Sequence, residues 1–314
     1  MIMSMYTIIN ELLDKMLMLL NSPVMFLVTI FLICILIGFV AALAGVGGGV
    51  LFTPIMIAFT SINPDIVRAT GLAIATMSSL MSARPYLGKG IANFNLALFS
   101  ALPYTIFAII GSLIGLHITA VMGSFGKALI RFTLGVLVLF IVILMITKGR
   151  RTEYPTPPMD KYDRLANAFE LNSSYYEISL RRIIEYRVVN TTWGSLCFMG
   201  IGLVSGMFGL GAGWAIVPVY NLVMYVPLKV ATATSLVVIG IGDTAAMWVY
   251  INNGAMIPIF VIPCLLGCMI GAQVGSRLMP RLRANVIRWF VILAMLLASA
   301  RLIQQAMPVI MGVV

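Results

Sequence analysis

Charge is what this chain has least of. Only 10% of its 314 residues are Asp, Glu, Lys or Arg, where soluble globular chains carry roughly a quarter. So few charges cannot clothe a water-facing surface. Acids are the scarcer sign, ten against twenty Lys and Arg. A single histidine, His117, rules out a multi-histidine metal centre. Cys34, Cys197, Cys264 and Cys268 all fall in apolar runs. They read as packing thiols, since free cysteine behaves as a small hydrophobe. Neither glycine cluster ends in Gly-Lys-Ser/Thr, so a Walker loop is missing and ATP hydrolysis is not expected. No cofactor or metal is expected.

Long apolar runs are present in abundance. They cover 24–44, 94–118, 128–147, 191–208, 255–276 and 286–307, with two more polar ones at 67–87 and 230–250. About 20 residues cross a bilayer as helix. Two shorter runs, 50–60 and 214–226, follow clusters of glycine. The pattern predicts an all-α polytopic membrane protein of about ten helical segments. It lacks the two-residue alternation of a membrane barrel. Residues 1–22 place Asn10, Glu11, Asp14 and Lys15 on one helical side, which predicts an interfacial amphipathic helix rather than a signal peptide.

Basic residues crowd the edges of the polar stretch 148–190. If that stretch is cytoplasmic, only Lys15, Arg68, Lys127, Arg131 and Arg301 fall outside or near the outer ends, as the positive-inside rule asks. The net charge of +10 is then topology, and no nucleic-acid partner is needed. Within the stretch, 160–171 can form a short helix, and Ser174-Tyr175-Tyr176-Glu177 has the form of a capping box. Glu177, Arg181 and Glu185 at i,i+4 spacing would support the helix behind it. The segment reads as a linker on the cytoplasmic face.

The chain repeats itself. Gly45-Val46-Gly47-Gly48-Gly49 with Pro54 returns as Gly209-Leu210-Gly211-Ala212-Gly213 with Pro218, and the register holds from Gly38 to Gly90 against Gly202 to Gly254. The matched positions include Thr70 with Thr234, and Tyr86 and Gly90 with Tyr250 and Gly254. Five segments per half, an odd number, invert the halves. The expected organisation is an N-terminal helix at 1–22, membrane repeat 1 at 23–147, the linker at 148–190 and membrane repeat 2 at 191–314. Glycine-broken helices in an inverted repeat are how many secondary transporters build a site.

Backbone freed at membrane depth must line a cavity or be satisfied by protein. Each break starts a short helix whose first amides lack helical acceptors, an arrangement that favours an anion. The candidate binding shell is therefore Gly45, Gly47, Gly48, Gly49, Gly209, Gly211, Ala212 and Gly213, with Thr70, Thr234 and Ser235 as hydroxyl donors. Asp243 is the one acid well inside a span, and such a group is a functional hypothesis by default; it is the candidate coupling residue. Arg84 is the candidate attractor of anions at the inner mouth. Phe107-xxx-Gly111-xxx-Gly115 and Gly267-xxx-Gly271-xxx-Gly275 read as close-packing faces. Gly240-Ile241-Gly242-Asp243 has the string of an intramembrane aspartyl protease, but that chemistry needs a second intramembrane carboxylate, and none is present.

These two glycine motifs, together with Ala69-Thr70-Gly71, Ala233-Thr234-Ser235-Leu236 and Gly271-Ala272-Gln273-Val274-Gly275-Ser276-Arg277, resemble the TauE/SafE family of sulfite and organosulfonate exporters. The resemblance spans about 30–147 and 194–306. It implies a cytoplasmic-membrane permease of two repeats that moves small sulfur-containing anions, commonly outward, without ATP. Ala212 departs from the all-glycine form of the first copy, and the linker is longer than the family's. The expected function is secondary transport of a small sulfur-containing anion, coupled to protons through Asp243. An anion channel, or a scaffold acting through 148–190, stays open. The expected partners are a small anion and lipid, with a homo-oligomer left open.

Overall fold

The computed structural model describes residues 23–44, 48–147, 153–157, 163–177, 181–278 and 284–311. The expected helix at 1–22, Gly45, Gly47 and parts of the linker lie outside the described residues. Ten helices follow in chain order among those described. They are α1 (Pro23–Ala44), α2 (Gly48–Phe59), α3 (Pro64–Gly88), α4 (Phe94–Thr147), α5 (Arg164–Ala168), α6 (Thr191–Phe208), α7 (Gly213–Pro218), α8 (Leu228–Asn252), α9 (Pro258–Leu278) and α10 (Ala284–Ile310). Six of these are long and apolar enough to cross a membrane, and the chain is a multi-pass membrane protein. Helix α4 holds two arms. Gly123, with φ 54° and ψ −121°, leaves helical geometry, and the chain turns back so closely that a Cβ on Gly126 would lie 2.2 Å from the Ile118 carbonyl oxygen.

Local chemistry sets several helix ends. Pro64 supplies a first-turn residue without a needed N–H, and Asn63 accepts from the Asp65 amide at 3.1 Å. The matched glycines Gly90 and Gly254 close α3 and α8 in the same way. Both have positive φ, 64° and 66°, and the next amides, Ile91 and Ala255, reach back to the Tyr86 and Tyr250 carbonyls at 3.1 and 3.0 Å. This is the Schellman closure, in which glycine takes the left-handed position. Pro218 departs from the symmetry: the chain beyond it, Val219–Val223, opens into a π turn, where a missing N–H disturbs the regular ladder.

The packing is reciprocal between the repeats. Helix α1 pairs with α9, and its repeat equivalent α6 pairs with the first arm of α4. The small-residue faces make those contacts. Cβ atoms on Gly111 and Gly206 would lie 2.1 and 1.9 Å from the Leu203 and Ala108 carbonyl oxygens; one on Gly271 would lie 2.0 Å from that of Ile35. The equivalent helices α3 and α8 lie side by side and antiparallel. Arg68 meets Tyr250, Leu80 meets Gly240, and Asn93, just beyond α3, meets Thr234. Equivalent elements that run in opposite directions make the two repeats inverted.

The linker differs from the expected helices. Among the described residues of 174–187 no helix forms. Instead, β1 (Ser173–Glu177) pairs antiparallel with β2 (Arg182–Tyr186), with Tyr176 opposite Ile183. Aromatic and β-branched side chains with two-residue alternation favour this: Tyr175, Glu177 and Tyr186 turn inward and Tyr176 and Ile183 outward. The capping box does not form, and Glu177 binds Lys229 at 2.5 Å instead. The short helix α5 covers only 164–168 of the expected 160–171, with 160–162 outside the described residues. Asp163 caps it, accepting from the Leu165 and Ala166 amides, and also accepts from the Thr191 amide at 2.7 Å, so one carboxylate starts both α5 and α6. Burial pushes this carboxyl up, but the Thr191, Ala166 and Leu165 hydrogen bonds prevail and hold it below the usual carboxylate range.

Candidate functional site

The second glycine break lies against the start of α2 and the middle of α3. Gly209 ends α6 with φ 66°, Gly211 has φ 70°, and α7 begins at Gly213. Gly48 and Gly49, the first residues of α2, are buried beside them. Backbones touch here. A Cβ on Gly49 would stand 2.7 Å from the Leu210 carbonyl oxygen and 2.8 Å from that of Gly71. A Cβ on Gly71 would stand 2.3 Å from the Gly209 carbonyl oxygen. Only glycine permits this approach at Gly49 and Gly71.

Several carbonyls at this break are taken. Ser205 O accepts from the Gly209 amide at 2.8 Å. Gly206 O accepts from Tyr250 Oη at 2.9 Å, Met207 O from Arg68 Nη1 at 2.8 Å, and Gly209 O from Thr53 Oγ1 at 2.7 Å. A helix end ordinarily leaves such groups orphaned; here four side chains or amides answer them. The amide side differs. The first α7 amides bonded within the turn are those of Ala215 and Ile216, both to Ala212 O at 3.0 Å. The amides of Ala212, Gly213 and Trp214 precede any helical acceptor. Among the described residues, the break thus answers carbonyls of the last α6 turn and Gly209, while the first α7 amides lack helical acceptors.

Asp243 stands beside it. It is wholly buried on α8. Tyr104 Oη and Ser205 Oγ both donate to its Oδ1, at 2.5 and 3.2 Å. Oδ2 has no partner among the described residues, and it lies 3.4 Å from where a Cβ on Gly211 would be. A buried carboxylate oxygen without a partner is costly, and this one faces the donor-rich break. Gly242 makes room for the Tyr104 ring: a Cβ there would sit 2.2 Å from it.

A second buried charge lies one step outward. Arg68 is wholly buried. Besides Met207 O it donates to Asp65 and to Gly115 O, and its guanidinium stands 5.6 Å from the Tyr250 ring centre. Asp65 in turn accepts from Thr119 Oγ1 at 3.0 Å. The group pins the end of α6 to α3, α4 and α8.

The sequence-derived candidates divide. Gly48, Gly49, Gly209, Gly211, Ala212, Gly213 and Asp243 share one neighbourhood. Thr70 lies beside Gly71, but its hydroxyl donates to Ile66 O at 2.7 Å within its own helix. Thr234 and Ser235 lie further toward the linker. Thr234 Oγ1 accepts from the Asn93 amide, and Ser235 Oγ donates to Thr232 O. Arg84 is exposed near the end of α3. Sequence reasoning missed Thr53, Arg68, Tyr104 and Ser205. For Arg68 a signal existed: an Asp-x-x-Arg pair at helical spacing inside an apolar helix, 65–68. No group of three or more His, Cys, Asp or Glu that would hold a metal occurs among the described residues.

Comparison with known proteins follows the same outline. Residues 30–302 match the family described as Sulfite exporter TauE/SafE. The chain is 23% identical over 222 residues to a Bacillus subtilis protein named "Probable membrane transporter protein YunE", covering 67% of this chain and 74% of that one. It is 26% identical over 206 residues to a "Probable membrane transporter protein" of Xylella fastidiosa, covering 65% and 66%. It is 32% identical over 117 residues to the "Sulfite exporter TauE/SafE family protein 1" of Arabidopsis thaliana, covering 37% of this chain and 25% of the plant protein. The chain thus spans about a quarter of the plant relative and two thirds to three quarters of the bacterial ones. No solved structure matches it significantly.

Proposed function

The chain belongs to the TauE/SafE family of membrane transporters, and on that premise we propose that it carries a small sulfur-containing anion, sulfite or an organosulfonate, together with a proton. The family is one of transporters and not of enzymes. We place the protein in the cytoplasmic membrane of a prokaryote, with 148–190 inside. The proposed site is the break at Gly209, Gly211, Ala212 and Gly213 with Gly48 and Gly49, and Asp243 is the coupling residue. Gly45 and Gly47 belong to it by the repeat. Thr70, Thr234 and Ser235 flank the route, and Arg84 draws anions to the inner mouth.

The observation that carries this reading is the unpartnered Asp243 Oδ2 facing Gly211. An anion held by the break's amides would lie beside that oxygen, and a separation of about 5 Å sets the scale of their repulsion. At an effective dielectric constant near 20, two negative charges at that distance repel by about 3 kcal/mol. That is a few hundredfold in affinity. The anion therefore binds when Asp243 carries a proton, and by linkage the proton binds more tightly when the anion is present. With a monoanion such as hydrogensulfite or isethionate, the pair crosses as a neutral unit. Net direction then follows the combined anion and proton gradients, and export requires the anion to accumulate inside.

Purified protein in proteoliposomes loaded with ³⁵S-sulfite or with labelled taurine tests this. Flux of one of them that accelerates with a pH gradient of matching direction supports the proposal. Flux indifferent to the gradient removes the coupling, and flux of carboxylates alone removes the substrate class.

A further inference from the structure

The linker is built into the bundle at the place where α3, α4 and α8 end. Asn93, in the turn between α3 and α4, is the junction. Its amide donates to Thr234 Oγ1 on α8 at 3.1 Å, its Oδ1 caps α4 by accepting from the Leu96 amide at 3.0 Å, and its Nδ2 donates to Leu171 O at 2.8 Å and Tyr186 Oη at 3.0 Å in the linker. A second fastening lies across the first turn of α8. Lys229 Nζ donates to Glu177 Oε1 at 2.5 Å, and the Leu228 amide donates to Glu153 O at 3.2 Å. Glu177 is buried although it lies in a segment of only about forty residues.

These contacts do not describe a passive tether. Leu171, Tyr175, Tyr186 and Val188 belong to the same buried cluster as Leu96, Val230 and Tyr104, the residue that holds Asp243. The hairpin is thus the inner end of the packing that surrounds the site. The antiparallel pair α3 and α8 is fastened on both sides of Asp243. Outward, Arg68 and Tyr250 join α3, α6 and α8 within the chain's membrane helices. Inward, the join between α3 and α8 runs through Asn93 and the linker. A carrier must release one end of such a pair at a time.

We propose that residues 163–177 and 181–190 are the cytoplasmic gate, and that Asn93 is the latch residue that couples it to α3 and α8. This rests on the transporter reading but not on which solute is carried. When the hairpin leaves Asn93 and Lys229, the inner ends of α3 and α8 part and the route from Asp243 to the cytoplasm opens. When it returns, the inner end closes.

The test has two arms. In a Cys197→Ser background, Ser235→Cys reports on the inner route, since Ser235 is buried at 2% exposure and the other native thiols are buried too. Its labelling by a thiol reagent supplied from the cytoplasmic face should quicken at least tenfold when Asn93→Ala is added. Equal labelling rates with and without Asn93→Ala overturn the proposal. In the second arm, Glu177→Cys and Lys229→Cys are joined by a short, reducible bis-methanethiosulfonate linker, since the ion pair spans two long side chains. ³⁵S-sulfite flux should fall at least tenfold when joined and recover on reduction. Unchanged flux in the joined protein overturns it. Absence of sulfite flux in both redox states bears on the proposed solute, and the labelling arm then decides the gate.

Discussion

Replacing Gly211 with alanine separates the demands of the break from those of any turn. Gly211 has φ 70°, and an L-residue in that left-handed conformation costs roughly 1–2 kcal/mol. The new methyl would also lie 2.7 Å from Ala75 Cβ, well inside the 3.5–4.0 Å of favourable carbon contacts. Overpacking of this kind costs about 1–3 kcal/mol more. Together Gly211→Ala should lose about 2–5 kcal/mol, and the part due to crowding acts on the break itself. Gly254→Ala is the control: its φ is 66°, but a Cβ there meets nothing within 4 Å, so only the left-handed cost applies. Adding Ala75→Gly to Gly211→Ala removes the crowding atom and leaves Ala75 Cα at 4.0 Å. The double-mutant cycle should therefore show a favourable coupling of about 1–3 kcal/mol. The assays are melting in detergent and ³⁵S-sulfite flux in proteoliposomes. Gly211→Ala should cut flux at least tenfold while Gly254→Ala keeps it, and Ala75→Gly should restore part. Wild-type flux in Gly211→Ala would refute the placement of the site.

Three further outcomes follow from the same contacts. Asp65→Asn strips the counter-charge from buried Arg68 and should cost about 3 kcal/mol, the low end for a broken buried pair because the Asp65 side chain is 18% exposed; an unchanged melting temperature would contradict it. Asp163→Ala should lose about 1–2 kcal/mol through its caps, and because the folded carboxyl is held below its unfolded value, that difference should be full above the ordinary carboxylate range and fade as pH falls through the folded value. Melting curves of both proteins from neutral pH into acid would show convergence, and parallel curves would count against it. Tyr104→Phe keeps the ring against Gly242 but removes the hydroxyl from Asp243 Oδ1; anion flux in proteoliposomes should fall several-fold, whereas a purely structural role would move only the melting temperature.

Much of the fold could be read from local pattern. The glycine turn at Gly90 and Gly254 needs only a left-handed residue and five neighbours, and the repeat displayed it twice. The helix breaks were legible because several glycines in an apolar run have no helical use. Asp243 stood out by being the one acid deep in a span. The partners of these groups were not legible. Tyr104 meets Asp243, and Arg68 meets Met207, across 139 residues each; no periodicity records such a contact. The linker failed for a different reason. Ser-x-x-Glu and an i,i+4 charge series are local helix signals, but in the strands Glu177 gains an ion pair with Lys229 and Tyr175 and Tyr186 gain a core. Thr70 and Thr234 match in sequence yet serve different bonds: Thr70 donates within its own helix, and Thr234 accepts from the Asn93 amide.

The central claim is that Asp243 gives up its charge when the anion arrives. Titration calorimetry of the binding of isethionate, a sulfonate monoanion that does not itself titrate near neutral pH, repeated in buffers of different ionisation enthalpy, counts that proton directly. Near neutral pH the wild type should take up close to one proton per anion bound, and Asp243→Asn should bind the same anion with no proton uptake and no pH dependence. Anion binding by the wild type without proton uptake, or proton uptake that survives in Asp243→Asn, would contradict the account.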